Sequence, residues 1–552
     1  MMKKRNKLVV LFALIAVLAL SACGTSSDEP ENSSSQETEA VGTETTEPEV
    51  DSTEEENSAA VQAEGSSEES AESESPAADA ETILSGDAAA ATVALKVSSE
   101  TAYRNWYSED GEQWLMQAAC DSVQVQGEGC DLLCEAVNLW NEEQTASFWE
   151  SCEALSEEAA YSIEYVETDP DSYYYDSGRE IEVTRADESV LSLTILSSSY
   201  VGGAHGDSGY TTVNFSTESG EILALNDILE DADGFREKME AYILEELEEE
   251  YSEGLFEGYE DTVAAMWEAE PVWYLNAEGI TFVFNPYEIG PYAMGTVRVT
   301  CPYENISDYM KEDYVGLQGT GSAQFSENTE IKTESGTVTV KMEVDEDYGM
   351  SPISVCLDEE AVSVGEFGSF GEAYLLQLAD GRSFVLLDAD YMSDDYVTFL
   401  YEITDGSITL RSSLESVSLE RGTVSAGGMT LVMRLGVLGN YDSLMEYEIG
   451  EDGALEQAEE VFEILQDGYA WHVLTVVKEL PVTMNGGSAV LPEGSRIRIT
   501  STDNAGTAYF TEEDTGETGS ISYEYGEEEN VWELYIDGVS EYEYFEMLPY
   551  AG

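Results

Sequence analysis

Residues Tyr210–Leu229 read YTTVNFSTESGEILALNDIL, and the fold of the first half of the chain turns on them. A strand runs to the Glu218-Ser219-Gly220 turn signal, and the chain returns from there and enters a helix. In that helix Phe235, Met239, Ile243 and Leu247 share one face, with glutamates on the other. A hairpin feeding an amphipathic helix predicts a mixed α+β unit.

Working outward, REIEVTR (Arg179–Arg185) and VLSLTILSSSYV (Val190–Val201) read as strands. GITFVFNPYEIGPYAMGTVRVTCPY (Gly279–Tyr303) reads as two strands joined by a loop that Pro286 and Pro291 stiffen. Upstream, a hairpin is expected around Asp110-Gly111, followed by a helix with Leu133, Val137, Trp140 and Phe148 at helical spacing. These elements define an α+β domain over residues 93–312. All-β domains follow: residues 320–465, strand-rich and of unknown type, and residues 468–552, short strands that fit a small SH3-like β-barrel.

The N-terminus predicts the compartment. MMKKRNKLVVLFALIAVLALSAC has a basic start, an apolar run from Leu8 to Leu20 and small residues before Cys23. It reads as a signal peptide over residues 1–22. The Leu20-Ser21-Ala22-Cys23 ending resembles a bacterial lipobox, which implies lipid attachment at Cys23 and an anchor on the extracellular face of the cell membrane. The apolar run is shorter than the ~18–20 residues that a membrane span needs. Residues 23–92, rich in Ser, Thr, Glu and Ala, read as a disordered acidic linker.

The chain has 21 Lys and Arg against 116 Asp and Glu, a net charge of −95. Such a balance speaks against nucleic acid as a partner and favours cations or basic proteins. Cys120, Cys130, Cys134, Cys152, Cys301 and Cys356 make an even set, which in an exported protein suggests disulfides. Spacing alone leaves their pairing open. Zinc is a weak competitor, since no Cys-x-x-Cys pair or nearby histidine completes a ligand set.

Tyr200–Tyr210, YVGGAHGDSGY, contains one of two histidines and the Gly206-Asp207-Ser208-Gly209 sequence seen around serine-protease nucleophiles. A triad needs a base and an orienting carboxylate. The only histidine other than His205 is the distant His472, and Tyr210 stands where the protease pattern has glycine. No catalytic residue is assigned. Two separated histidines also cannot supply a hydrolase metal set. The acids from Asp169 to Glu180 imitate an EF-hand, but Tyr174 occupies the position that needs glycine. No metal or other cofactor is assigned, and so many acids make any carboxylate pair uninformative. A carboxylate-dependent hydrolase in the middle β domain is the competing expectation.

Two motifs in order carry a resemblance: Gly202-Gly203-Ala204-His205 with Asn214-Phe215, Gly220 and Leu225-Asn226-Asp227, then Asn285-Pro286-Tyr287-Glu288 with Pro291-Tyr292-Ala293 and Gly295. Over about residues 95–310 the chain resembles the RsiV/PdaC-type bacterial extracellular domain family. The resemblance implies a binding or sensing module at the cell wall. It also implies a lysozyme-like cationic protein or peptidoglycan as partner, and a structural signature in Gly-Gly-Ala-His. His205 is expected to be held by hydrogen bonds in a tight loop, with ligand contact as the alternative. Tyr200, Gly202, Gly203, His205, Tyr210, Asn285, Tyr287, Glu288 and Tyr292 are the candidate binding-loop residues. Neither the membrane helix of RsiV nor the paired-histidine catalytic domain of the deacetylases has a counterpart here, so the expectation is a non-enzymatic lipoprotein.

Overall fold

The computed structural model describes residues 94–109, 113–165, 175–343, 349–392, 395–404, 406–466, 473–526 and 533–550. The signal segment 1–22, the linker 23–92, the start of the EF-hand-like stretch and His472 lie outside the described residues.

The described part is mostly β, with a few helices. β1 (Lys96–Tyr107) and β2 (Trp114–Gln126) form the expected antiparallel hairpin. Helix α1 (Asp131–Tyr165) follows, with Leu133 and Val137 fully buried. β3 (Tyr175–Ala186), β4 (Val190–Tyr200) and β5 (Asp207–Ser216) form an antiparallel meander. After the turn at Gly220, where φ is 70°, helix α2 (Ala232–Tyr251) begins with the Asp231 carboxylate accepting from Gly234 N at 3.0 Å. Phe235, Met239, Ile243 and Leu247 are all fully buried, as their spacing predicts. They pack with Ile280, Phe282, Val297 and Val299. Those residues come from the small sheet of β6 (Trp273–Leu275), β7 (Gly279–Phe284) and β8 (Val297–Pro302).

β9 (Gly321–Phe325) returns to the large sheet and pairs with Arg185–Ala186 of β3. Its other edge pairs with a later strand, after an excursion through a four-stranded sheet: β10 (Ile331–Thr333), β11 (Gly336–Met342), β12 (Ser351–Leu357) and β13 (Glu360–Phe367). The meander β14 (Ser369–Gln377), β15 (Ser383–Asp390), β16 (Tyr396–Thr404) and β17 (Ser407–Glu415) continues the large sheet from β9. A second large sheet opens with β18 (Val417–Ser425), β19 (Gly428–Gly436) and β20 (Asn440–Ile449). It then runs through Phe462–Ile464 into the C-terminal strands, beginning with Arg496–Thr502. Hydrogen-bonded ladders therefore run across both positions, 312–320 and 465–468, where the composition suggests boundaries. One apolar core accordingly holds residues from Tyr374 to Phe545.

β3 organises the site. Along one edge its first half pairs in parallel with β2, from Met116↔Tyr175 to Cys120↔Arg179. The same edge pairs with β9 only from Arg185. Between these two ladders the sheet splits. Buried strand edges need partners, and side chains supply them. Asp121 Oδ2 accepts from Ile181 N at 3.1 Å, and Arg179 donates to Asp121 O. Asn141 of α1 bonds both Val123 N (3.2 Å) and Val123 O (2.6 Å).

Candidate binding cleft

The split in the sheet opens into a cleft of about 770 Å³. Asp121, Asp176, Glu180, Glu182, Glu372 and Glu420 line it, against Arg298 and Arg421. Six carboxylates facing two guanidiniums make it a cation-attracting concavity. Among the described residues no three acids, cysteines or histidines converge on a metal-holding set. The chemistry offered is therefore that of separate acceptors spread along a groove.

Each acid is placed by local structure. Asp176, Glu180 and Glu182 alternate along β3, so one face of the strand presents all three. Thr194 Oγ1 donates to Glu182 Oε2 at 3.0 Å, and Gln324 Nε2 donates to its other oxygen. Asp121 also accepts from Thr101 Oγ1 at 2.6 Å. Burial raises the Asp121 carboxyl above the ordinary carboxylate range, against these donors.

Glu372 and Glu420 come from β-bulges, which re-aim side chains next to sites. The β14–β15 register shifts between Phe370 and Ala373, and that of β18–β19 between Ser418 and Thr423. One buried carboxylate, Asp388 on β15, pins both bulges. Its Oδ1 accepts from Glu372 N at 2.7 Å, and its Oδ2 from Ser418 Oγ at 3.0 Å and Leu419 N at 2.9 Å. Gly371 leaves the room: a Cβ there would collide with the Asp388 carboxylate. The Glu372 carboxyl is enclosed by protein on most sides yet opens onto the cleft. Burial, with Glu182 and Asp388 adding repulsion, pushes it up to about 8.

The two sequence-predicted loops meet at one border of this cleft. The Asn285 side chain clasps the Tyr210 backbone, accepting from its N–H at 2.6 Å and donating to its carbonyl at 3.0 Å. Tyr210 itself lines the cleft, with the Arg298 guanidinium 4.5 Å from its ring centre. Beyond the clasp the His205 ring stacks on Tyr292, centroids 3.9 Å apart, and Tyr287 tilts against Tyr292 at 5.8 Å. Tyr200 Oη donates to Gly203 O at 3.2 Å, and Glu288 Oε2 accepts from Asn285 N at 2.8 Å.

His205 is exposed, with Nδ1 donating to the adjacent Gly206 O at 2.8 Å. The loop expected to hold it tightly leaves the histidine ring open to solvent. Gly202 and Gly203 serve through positive φ, 88° and 105°, and a Cβ on Gly203 would meet nothing. The close backbone approach falls at Gly206, where a Cβ would stand 2.7 Å from Ser199 O. Tyr287, half exposed, also holds a left-handed φ of 71°, which a bulky residue seldom adopts. Sequence reasoning found the loop residues and missed the six carboxylates, which lie up to 299 positions apart among 116 acids.

No curated protein matches the chain. A solved DUF3298-family structure from Bacteroides fragilis aligns with 40% of this chain and 96% of its own at 20% identity, with a TM-score of 0.32. One from Pseudomonas aeruginosa aligns with 41% and 98% at 17% identity, TM-score 0.28. Residues 226–304, which include α2, the β6–β8 sheet and the Asn285–Gly295 loop, match the family described as "Protein of unknown function (DUF3298)".

Proposed function

We propose that the chain is a non-enzymatic RsiV/PdaC-type binding module, lipid-anchored through Cys23 on the extracellular face of the membrane. Its partner is a cationic wall-active protein of lysozyme type, with peptidoglycan fragments as the other wall-derived ligand. The observation that carries this reading is the seam between an exposed aromatic stack, His205–Tyr292–Tyr287, and a cleft with six carboxylates. Arg and Lys side chains seek both surfaces: aromatic faces through cation–π contact and carboxylates through charge-assisted hydrogen bonds. The aromatic stack would supply the specificity that charge alone lacks. An SH3-like use of the strands after residue 468 for wall contact belongs to the same reading.

The test is titration of the chain from residue 24 onward with lysozyme, at low salt and at ~0.15 M, beside an equally basic unrelated protein. Binding that survives the salt, exceeds the control and falls at least tenfold in Tyr292→Ala supports the proposal. Equal, salt-abolished binding of both proteins overturns it.

One observation favours a second reading, a carboxylate-dependent hydrolase in the middle β region. Glu372, pushed up to about 8 beside Glu182, has the proton affinity that a general acid needs near neutrality. Glycan hydrolysis that is lost in Glu372→Gln would support it; its absence from the unaltered chain would remove it.

A further inference from the structure

Cys130 and Cys134 sit where α1 begins. The first helical hydrogen bond, Cys134 N to Cys130 O at 2.9 Å, makes Cys130 the residue that caps the helix. Their Sγ atoms lie 3.0 Å apart, inside ordinary sulfur–sulfur contact. Within a regular helix, Cβ atoms one turn apart stand about 5–6 Å from each other, too far for the ~3.8 Å that a disulfide prefers. A cap residue has non-helical dihedrals, and that freedom lets Cys130 fold its sulfur over the first turn. Of the other four cysteines among the described residues, Cys301 lies on β8 and Cys356 on β12, while Cys120 on β2 and Cys152 within α1 are buried within electrostatic reach of each other.

We infer that Cys130 and Cys134 form a disulfide that locks the cap of α1 onto its own first turn. The two thiols lose two protons and two electrons as the sulfur–sulfur bond forms. A disulfide oxidant, small-molecule or protein, accepts them and is reduced to two thiols. Two weak contacts are given up, Cys134 Sγ–H to Val125 O and Cys130 Sγ–H to Gly127 O, each 3.1 Å. Cys134 is the reachable partner, half-buried where Cys130 is buried. Burial and the adjacent Cys130 push its thiol up to about 12. A thiol of such high pKa is a poor leaving group, so the bond, once made, resists exchange and serves structure rather than switching.

The experiment uses the full chain incubated with oxidised glutathione, unfolded, and alkylated with iodoacetamide. Digestion with a protease that cuts after Asp and Glu then separates Gly129–Asp131 from Leu132–Glu135. The expected result is those two peptides joined, lighter by two hydrogens than the free pair. In Cys130→Ser, alkylation of Cys134 should rise from near zero to near completion. Alkylation of both Cys130 and Cys134 in the oxidised chain, a lasting glutathione adduct on Cys134, or its linkage to any other cysteine overturns the inference.

Discussion

The two ends of β3 handle charge in opposite ways. At its C-terminal end Arg185 and Asp187 are fully buried and paired, with Arg185 Nη2 held by the ion pair alone. Arg185 Nε and Nη2 reach Asp187 Oδ2 at 2.8 and 2.7 Å, while Nη1 donates to Tyr303 Oη and Tyr314 O, each at 2.9 Å. Asp187 further accepts from the backbone N–H groups of Ser189, Val190 and Gln318. At the N-terminal end Asp176, Glu180 and Glu182 line an open groove with few cations to meet them. A charge taken out of water needs every hydrogen bond it can make; a charge kept wet stays available. The contrast separates acids sealed inside the fold from acids that line a groove open to a ligand.

The dry end should dominate the energetics. Replacing Asp187 by Ala strands Arg185 and frees three N–H groups, and breaking a buried pair typically costs ~3–5 kcal/mol. Chemical denaturation should show that loss. A change below ~1 kcal/mol, the range of an exposed pair, would erase the distinction between the two ends.

The cleft should report through pH. Glu372 has a folded pKa of about 8 against an ordinary 4.5, so the fold favours its protonated form. Its stabilising contribution is whole below pH ~4.5 and is lost as pH rises through about 8. The slope is at most ~1.4 kcal/mol per pH unit for one proton. Melting temperatures of the unaltered chain and Glu372→Gln, measured from pH 5 to 9, should converge at the acid end. They should part at the alkaline end, with the variant higher. Parallel curves would mean that Glu372 is not enclosed.

The smallest effect belongs to the aromatic stack. His205 is exposed and bonded only locally, so His205→Ala should change stability by no more than ~0.5 kcal/mol, as surface substitutions do. A larger loss by the same denaturation would return His205 to a structural role.

Much of this architecture was legible because it is local. The helical spacing of Phe235 to Leu247, the hairpins and the two loop motifs are patterns within a few turns of chain. The pairing of β9 with both β3 and β14 was not legible, since five residues carry no mark of which distant edges they join. Nor were the bulges that aim Glu372 and Glu420, because a register shift depends on the partner strand. Asp388 looked like any other acid; only its burial against two bulges makes it a positioning residue. His205 misled for the opposite reason: glycines around a histidine suggest a tight site, and here they shape an open one.

The hairpin β1–β2 is closed by residues made much later. Val97 O accepts from Thr423 Oγ1 and Val97 N donates to Ser425 Oγ, while Leu95 O receives Gly427 N–H. A chain emerging from its N-terminus must therefore hold its first strands unsealed until more than 300 further residues have appeared. Such distant closures slow folding and leave strand edges open to wrong partners in the interval. Shortened chains that stop before β18 should accordingly be lost to aggregation or proteolysis, however complete their own motifs look.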